Sequence, residues 1–242
     1  MADNSGQRYY LMCERNWVYH LLIIVGGFWG AYTYRLRGGV FCNAQTGNVV
    51  LMGVALGGGD WAKALYYLVP ISAYMAGAFF SELLPNPLKK SLHIRWDTLL
   101  IGIELVAVLL LGLIPDTAPV QIAQVAINFI ASMQYNTFRQ AEGVPMATTF
   151  VTNHIRMVGV ELAKVVLYGK NRTPDDKKKL SSHTQMLLYF FGGAIIGSFC
   201  SIKLRGHAIW LTMIPLAVVF AAFLHADLTT EKDMLKTKPS GH

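Results

Sequence analysis

Two short polar clusters interrupt an otherwise apolar chain. Asn43, Gln45, Thr46, Gly47 and Asn48 fall within six residues, and Thr148, Thr149, Thr152, Asn153 and His154 within seven. Amides, hydroxyls and one imidazole act by hydrogen bonding; neither cluster pairs a nucleophile with a base and an orienting acid. No GxSxG, GxxxxGK, HExxH or paired-carboxylate spacing occurs anywhere, so no catalytic residue, metal site or cofactor is expected. Cys13, Cys42 and Cys200 are odd in number and scattered, which points to neither a disulfide framework nor structural zinc. Two uses of the clusters remain. They can offer hydrogen bonds to a solute, as a substrate-binding or selectivity site, or they can cap helix ends and hold helices together, as such residues do in membranes.

The charged side chains nearby divide in the same way. Arg35 and Arg139 each follow an apolar run and either snorkel as anchors or approach a central site as paired cations in coupling or gating. Glu104 stands inside an apolar run, where a carboxylate suits a proton relay or a bundle contact with Arg156 or His20. Glu161 and Lys164 share one helix face and, with Arg156, read as a solvated face.

These residues need apolar elements to position them, and the composition supplies them. The 242 residues are 53% hydrophobic and 14% charged, with a mean hydropathy of +0.38. They carry 21 basic and 14 acidic side chains, where a soluble domain of this length would carry roughly 60 charges. That excludes a soluble enzyme, a disordered chain and a nucleic-acid binder, and implies one polytopic all-α membrane domain over residues 1–242 with the lipid bilayer as its main partner. The net charge of +7 reads as Lys and Arg held in cytoplasmic loops. No small-residue cleavage site precedes the first apolar run, so that run reads as a retained span.

Eight segments approach spanning length: 17–34, 38–59, 64–81, 98–114, 120–138, 145–168, 184–202 and 207–225. The second and sixth, which hold the polar clusters, are the most polar. If all eight crossed, the basic loops 89–95 and 170–179 would lie on opposite sides, against the positive-inside rule. Six transmembrane helices plus two re-entrant or broken segments place both loops and both termini in the cytoplasm. Trp17, Trp61, Trp96 and Trp210 fall near predicted span ends, as an interfacial belt requires.

The two polar segments also resemble each other. At an offset of 106, Thr46, Gly53, Val54 and Leu56 meet Thr152, Gly159, Val160 and Leu162; at 104, Thr33, Arg35, Gly39 and Val40 meet Thr137, Arg139, Gly143 and Val144. Two repeats follow, about 17–114 and about 120–225. Three spans plus one dip per half is an odd number of crossings, so the halves would have inverted topology, with a site where the broken helices meet. Two half-helix N-termini meeting there would favour an anion or polar solute. Gly26, Gly27, Gly30, Gly77, Gly192, Gly193 and Gly197 offer small faces for packing within the chain or in a homodimer.

The run GGVFCNAQTGNVVLMGVALGGGDW, with ATTFVTNHIRMVG further on, resembles the YoaK-like family of bacterial membrane proteins. Asn43, Thr46, Gly47, Asn48, Gly53, Gly59, Asp60 and Trp61 match its first motif. Ala147, Thr148, Thr149, Phe150 and Thr152 match the second, where Asn153 replaces the usual glycine. The resemblance implies a multi-pass inner-membrane protein of about six spans and unknown function. The leading functional expectation is a transporter or channel for a small solute or ion, anion or polar metabolite favoured. The alternative is a structural or regulatory subunit whose polar breaks serve packing and dimerisation; an intramembrane enzyme is weaker still.

Overall fold

A computed structural model describes residues 9–85 and 93–239; Lys89 and Lys90 of the first basic loop lie outside them. The chain is about 78% helical. Among the described residues eight α-helices follow in order: α1 (Asn16–Leu36), α2 (Gln45–Gly57), α3 (Trp61–Leu83), α4 (Trp96–Leu113), α5 (Val120–Thr137), α6 (Thr152–Tyr168), α7 (Pro174–Leu204) and α8 (Met213–Leu228). A 3-10 stretch, Arg205–Thr212, joins α7 to α8. The strands β1 (Gln140–Ala141) and β2 (Val144–Pro145) form a hairpin after α5.

Three stretches among the described residues are long and apolar enough to cross a membrane, fewer than the six expected: Trp61–Leu83, Trp96–Leu113 and Pro174–Leu228. The last runs through both α7 and α8. The shortfall at α5 has a physical reason. Gln124, Asn128 and Gln134 lower its hydropathy, yet all three are fully buried, so its polar face is turned inward.

The helices pack in matched pairs. α1 lies against α7, and α3 against α5; α2 packs on α3, and α6 on α7; α4 packs on α8. Glycine sets the closest crossings. A Cβ at Gly27 or Gly193 would collide with the carbonyl of Phe190 or Ile24, and one at Gly77 with that of Phe129. The glycine faces at 26, 27, 30, 77, 193 and 197 are thus occupied within the chain, while Gly192 has nothing within 4 Å. The second copy invoked for those faces is not needed to explain them.

One end of the bundle gathers the start of α1 and the hairpin: Asn16 donates to the Glu142 carboxylate at 2.8 Å, and the Tyr19 hydroxyl to the Gln140 carbonyl at 2.7 Å. The opposite end gathers the close of α1 with the α7–α8 junction, where the Tyr32 hydroxyl donates to the Gly206 carbonyl at 3.0 Å. α1 and α5 are therefore antiparallel. Trp17 and Trp61 are exposed at helix starts, but Trp96 is buried and donates to Thr137 at 3.0 Å, so it packs helices together and does not sit in a belt.

Candidate functional site

After α1 the chain reverses through Gly38 and Gly39, both at positive φ (74° and 72°), a conformation natural only to glycine. After α5 it reverses through Glu142 and Gly143 at 45° and 83°, the two-residue hairpin turn that requires positive φ at both central positions. These are the positions the 104-residue offset equates. Glu142 adopts this conformation although it is not glycine because it is anchored: its N–H donates to the Glu14 carbonyl at 2.9 Å and its carboxylate accepts from Asn16.

Both returning segments come back to the middle of α1. The Asn43 amide donates to the Gly26 carbonyl at 2.9 Å, ten residues and about 15 Å back from the end of that helix. Thr149 Cα lies 3.0 Å, and the Thr148 carbonyl nearer still, from where a Gly26 Cβ would stand. From there α2 runs to one end of the bundle and α6 to the other. Ala44 and Val151, the residues before them, line one cavity, so two helix starts border it.

Each return is held by the same contact. The Asn48 side chain accepts from the Phe41 N–H at 3.1 Å and donates to the Phe41 carbonyl at 2.7 Å. His154 Nε2 lies 3.3 Å from the Ala147 N–H and 2.9 Å from its carbonyl. Both grip the residue seven positions back, and the 106-residue offset equates them. The Asn48 amide thereby satisfies both main-chain groups of Phe41, whereas His154 Nε2, a single ring nitrogen, either accepts from the Ala147 N–H or donates to its carbonyl. Each such pairing removes the penalty of leaving a main-chain group unpaired. His154 does more: its Nδ1 lies 2.9 Å from Nδ1 of His183 on α7, and both rings are buried.

Gln45 belongs to a polar chain that sequence spacing did not reveal. Its amide donates to Asn128 at 2.7 Å and accepts from Asn48 at 3.0 Å. Asn128 donates to the Gln124 carbonyl at 2.8 Å, and Gln124 donates to the Arg37 carbonyl and to the Tyr66 hydroxyl. The available signal was the spacing of Gln124 and Asn128, four apart on one face of an apolar helix. His183 and Gly26 had no comparable signal.

The remaining predicted residues separate. Thr46 and Thr152 are exposed, and a Cβ added at Gly47 would stand 3.5 Å from the Phe41 ring. Thr148 and Thr149 are fully buried; the Thr149 hydroxyl meets that of Tyr74 on α3, and the Thr148 hydroxyl has no hydrogen-bond partner among the described residues. Asn153 accepts from Arg156 at 2.9 Å. Arg35 and Arg139 do not approach each other: Arg35 is exposed at one end of the bundle, 3.5 Å from the Ser198 hydroxyl, and Arg139 is half-buried at the other, because their helices are antiparallel. Glu104 is fully buried in α4, with neither oxygen hydrogen-bonded among the described residues. Arg156 turns instead to Asn153, and His20 lies against Tyr189 with ring centroids 4.6 Å apart. Glu161 is buried, not solvated, and pairs with Lys164 at 2.9 Å, which also reaches Asp176 at 2.7 Å.

Between the two returns lies a cavity of about 360 Å³. Phe41, Asn43 and Ala44 line it from the first return, and Phe150, Val151 and Thr152 from the second. Gly27 and Gly30 of α1 and Phe190 and Ala194 of α7 complete the walls. Of the ten candidate binding residues, Asn43 and Thr152 reach it.

A family model for proteins of unknown function, DUF1275, matches residues 18–222. The chain belongs to that family. No curated protein and no solved structure matches it. The DUF1275 match spans both polar returns and all eight helices in whole or in part, so the cavity lies entirely within the family's own region.

Proposed function

We propose that this DUF1275 chain is a membrane transporter or channel for a small solute, with its site in the cavity between the two returning segments. The cavity itself is the observation that carries the reading: it is walled by residues of both returning segments, beside the starts of α2 and α6. In this reading the chain crosses a cell's cytoplasmic membrane six times, through α1, α3, α4, α5, α7 and α8, with both termini in the cytoplasm. α2 and α6 enter to mid-depth and do not cross. Non-helical backbone at that depth is tolerated only inside protein or beside a cavity, and the Asn48 and His154 contacts meet that condition.

The exchange of packing partners supports an inverted repeat. Equating α1 with α5, α2 with α6, α3 with α7 and α4 with α8 turns the α1–α7 contact into α5–α3, and the α2–α3 contact into α6–α7. The same operation carries Gly193 against Ile24 onto Gly77 against Phe129, within one residue. A site near midplane at a repeat interface is the arrangement of many secondary transporters.

The packing alternative has its own support, because Asn43, Asn48 and His154 spend hydrogen bonds on main-chain groups. Purified protein in proteoliposomes separates the two. Uptake or solute-induced thermal stabilisation that Ala194→Trp removes and Thr152→Val weakens, with folding intact, supports the site. Wild-type protein with neither response to a panel of anions, weak acids and neutral metabolites leaves the packing role. Topology is tested by labelling Lys63→Cys, Lys177→Cys and Lys232→Cys from each side: the last two should share a side opposite the first.

A further inference from the structure

We infer that the cavity takes an uncharged molecule of one or two rings, or of similar apolar bulk, bearing a single hydrogen-bonding group; this rests on the cavity being the functional site. The helix starts alone suggested an anion, but the lining points elsewhere. Four aromatic rings, Tyr34, Phe41, Phe150 and Phe190, dominate the walls, and Tyr34 and Phe41 stack with centroids 4.7 Å apart. Among the described residues, no Lys, Arg, His, Asp or Glu lines it.

An anion entering would shed its water against these rings with only two partial helix charges, each about half a unit, in compensation. A neutral hydroxyl or carbonyl sheds far less, and the Asn43 amide and the Thr152 hydroxyl and N–H can receive it. Size agrees. A cavity of roughly 150 Å³ accommodates benzene, so about 360 Å³ leaves room for a second ring or a substituent. The rim includes Tyr34 and Thr152, both exposed, so the opening lies on the flank of the α1–α7 pair. In a bilayer that flank faces lipid, from which an apolar solute can enter directly.

The test uses full-length protein in nanodiscs of uncharged lipid at pH 7, with fluorine NMR line broadening of 4-fluorophenol, which is neutral there, and 4-fluorobenzoate, which is anionic. Wild-type protein should broaden the phenol signal, and benzyl alcohol should reverse it. Ala194→Trp fills the cavity from a partly exposed position and should abolish the effect. Thr152→Val, also exposed, should weaken binding roughly 2- to 10-fold. Size-exclusion elution and a thermal ramp verify that both variants are folded. If 4-fluorobenzoate or chloride binds and Ala194→Trp removes that binding, the site stands and the neutral class is wrong. If every probe behaves alike with wild type and Ala194→Trp, only partition into lipid is being seen, and the site reading falls with it.

Discussion

Gly26→Ala tests whether both polar returns converge on the middle of α1. The added Cβ would stand 3.0 Å from Thr149 Cα and 3.4 Å from the Thr148 carbonyl carbon, and closer still to that carbonyl's oxygen. Carbon atoms at optimal separation lie about 3.5–4.0 Å apart, so the returning backbone must retreat by roughly half an ångström or more. It cannot swing aside as a long side chain would, because His154 holds Ala147 one residue upstream. Overpacking of this kind costs about 1–3 kcal/mol, offset by up to about 1 kcal/mol from placing Ala for Gly in a helix. A net loss of roughly 1–2 kcal/mol corresponds to a Tm lower by about 2–8 °C for a chain of this size. Gly53→Ala and Gly159→Ala are the controls, since nothing lies within 4 Å of either; their Tm should be unchanged or higher. A thermal ramp with a fluorogenic maleimide suits the measurement, because Cys42 is buried in the first return and reports its opening. Gly26→Ala melting at or above wild type, or Gly53→Ala losing as much, would refute the convergence.

Further expectations follow from other contacts. Asn48→Ala leaves the part-buried main-chain groups of Phe41 without this partner and should lower unfolding stability by about 1–3 kcal/mol. His154→Asn installs the residue found at the equivalent position and should retain most of the stability that His154→Ala loses; equal losses in chemical or thermal unfolding would mean that the His183 contact, not the grip on Ala147, is what matters. Glu104→Leu should raise the Tm or leave it unchanged, because it removes a buried carboxyl with no hydrogen-bond partner among the described residues; a large loss would reveal a partner. Asp116 accepts from Arg205 at 2.6 Å, and that hydrogen bond holds its carboxyl below the usual range. A depressed folded pKa contributes stability above the unfolded value of about 3.9 that is lost as pH falls through the folded one. Asp116→Asn should therefore melt slightly below wild type at neutral pH, by a margin kept small by solvent exposure, and the margin should close as pH falls through the depressed folded value. A margin that widens in acid contradicts the sign.

The sequence by itself determined the all-α character, the apolar composition, the place of both polar interruptions and the correspondence between them. Each is a local property: hydropathy, residue type and self-similarity read along the chain without knowing what lies opposite. The paired glycine-containing turns were legible in the same way, since Gly39 and Gly143 align and both need positive φ. What each polar residue does was decided only in three dimensions. Thr46 and Asn48 are two residues apart, yet one is exposed and the other fully buried on the main chain of Phe41, because a helix turns them to different faces and only one faces the returning strand. Arg35 and Arg139 align as equals but stand at opposite ends, because antiparallel packing separates what alignment equates. The Gln45–Asn128–Gln124–Tyr66 chain and the His154–His183 contact join helices far apart in sequence, and a hydrogen bond of a few ångströms is set by which surfaces meet. The cavity is the clearest case. Its aromatic walls come from four separate segments, none of which resembles a site alone, so its existence belongs to the packing.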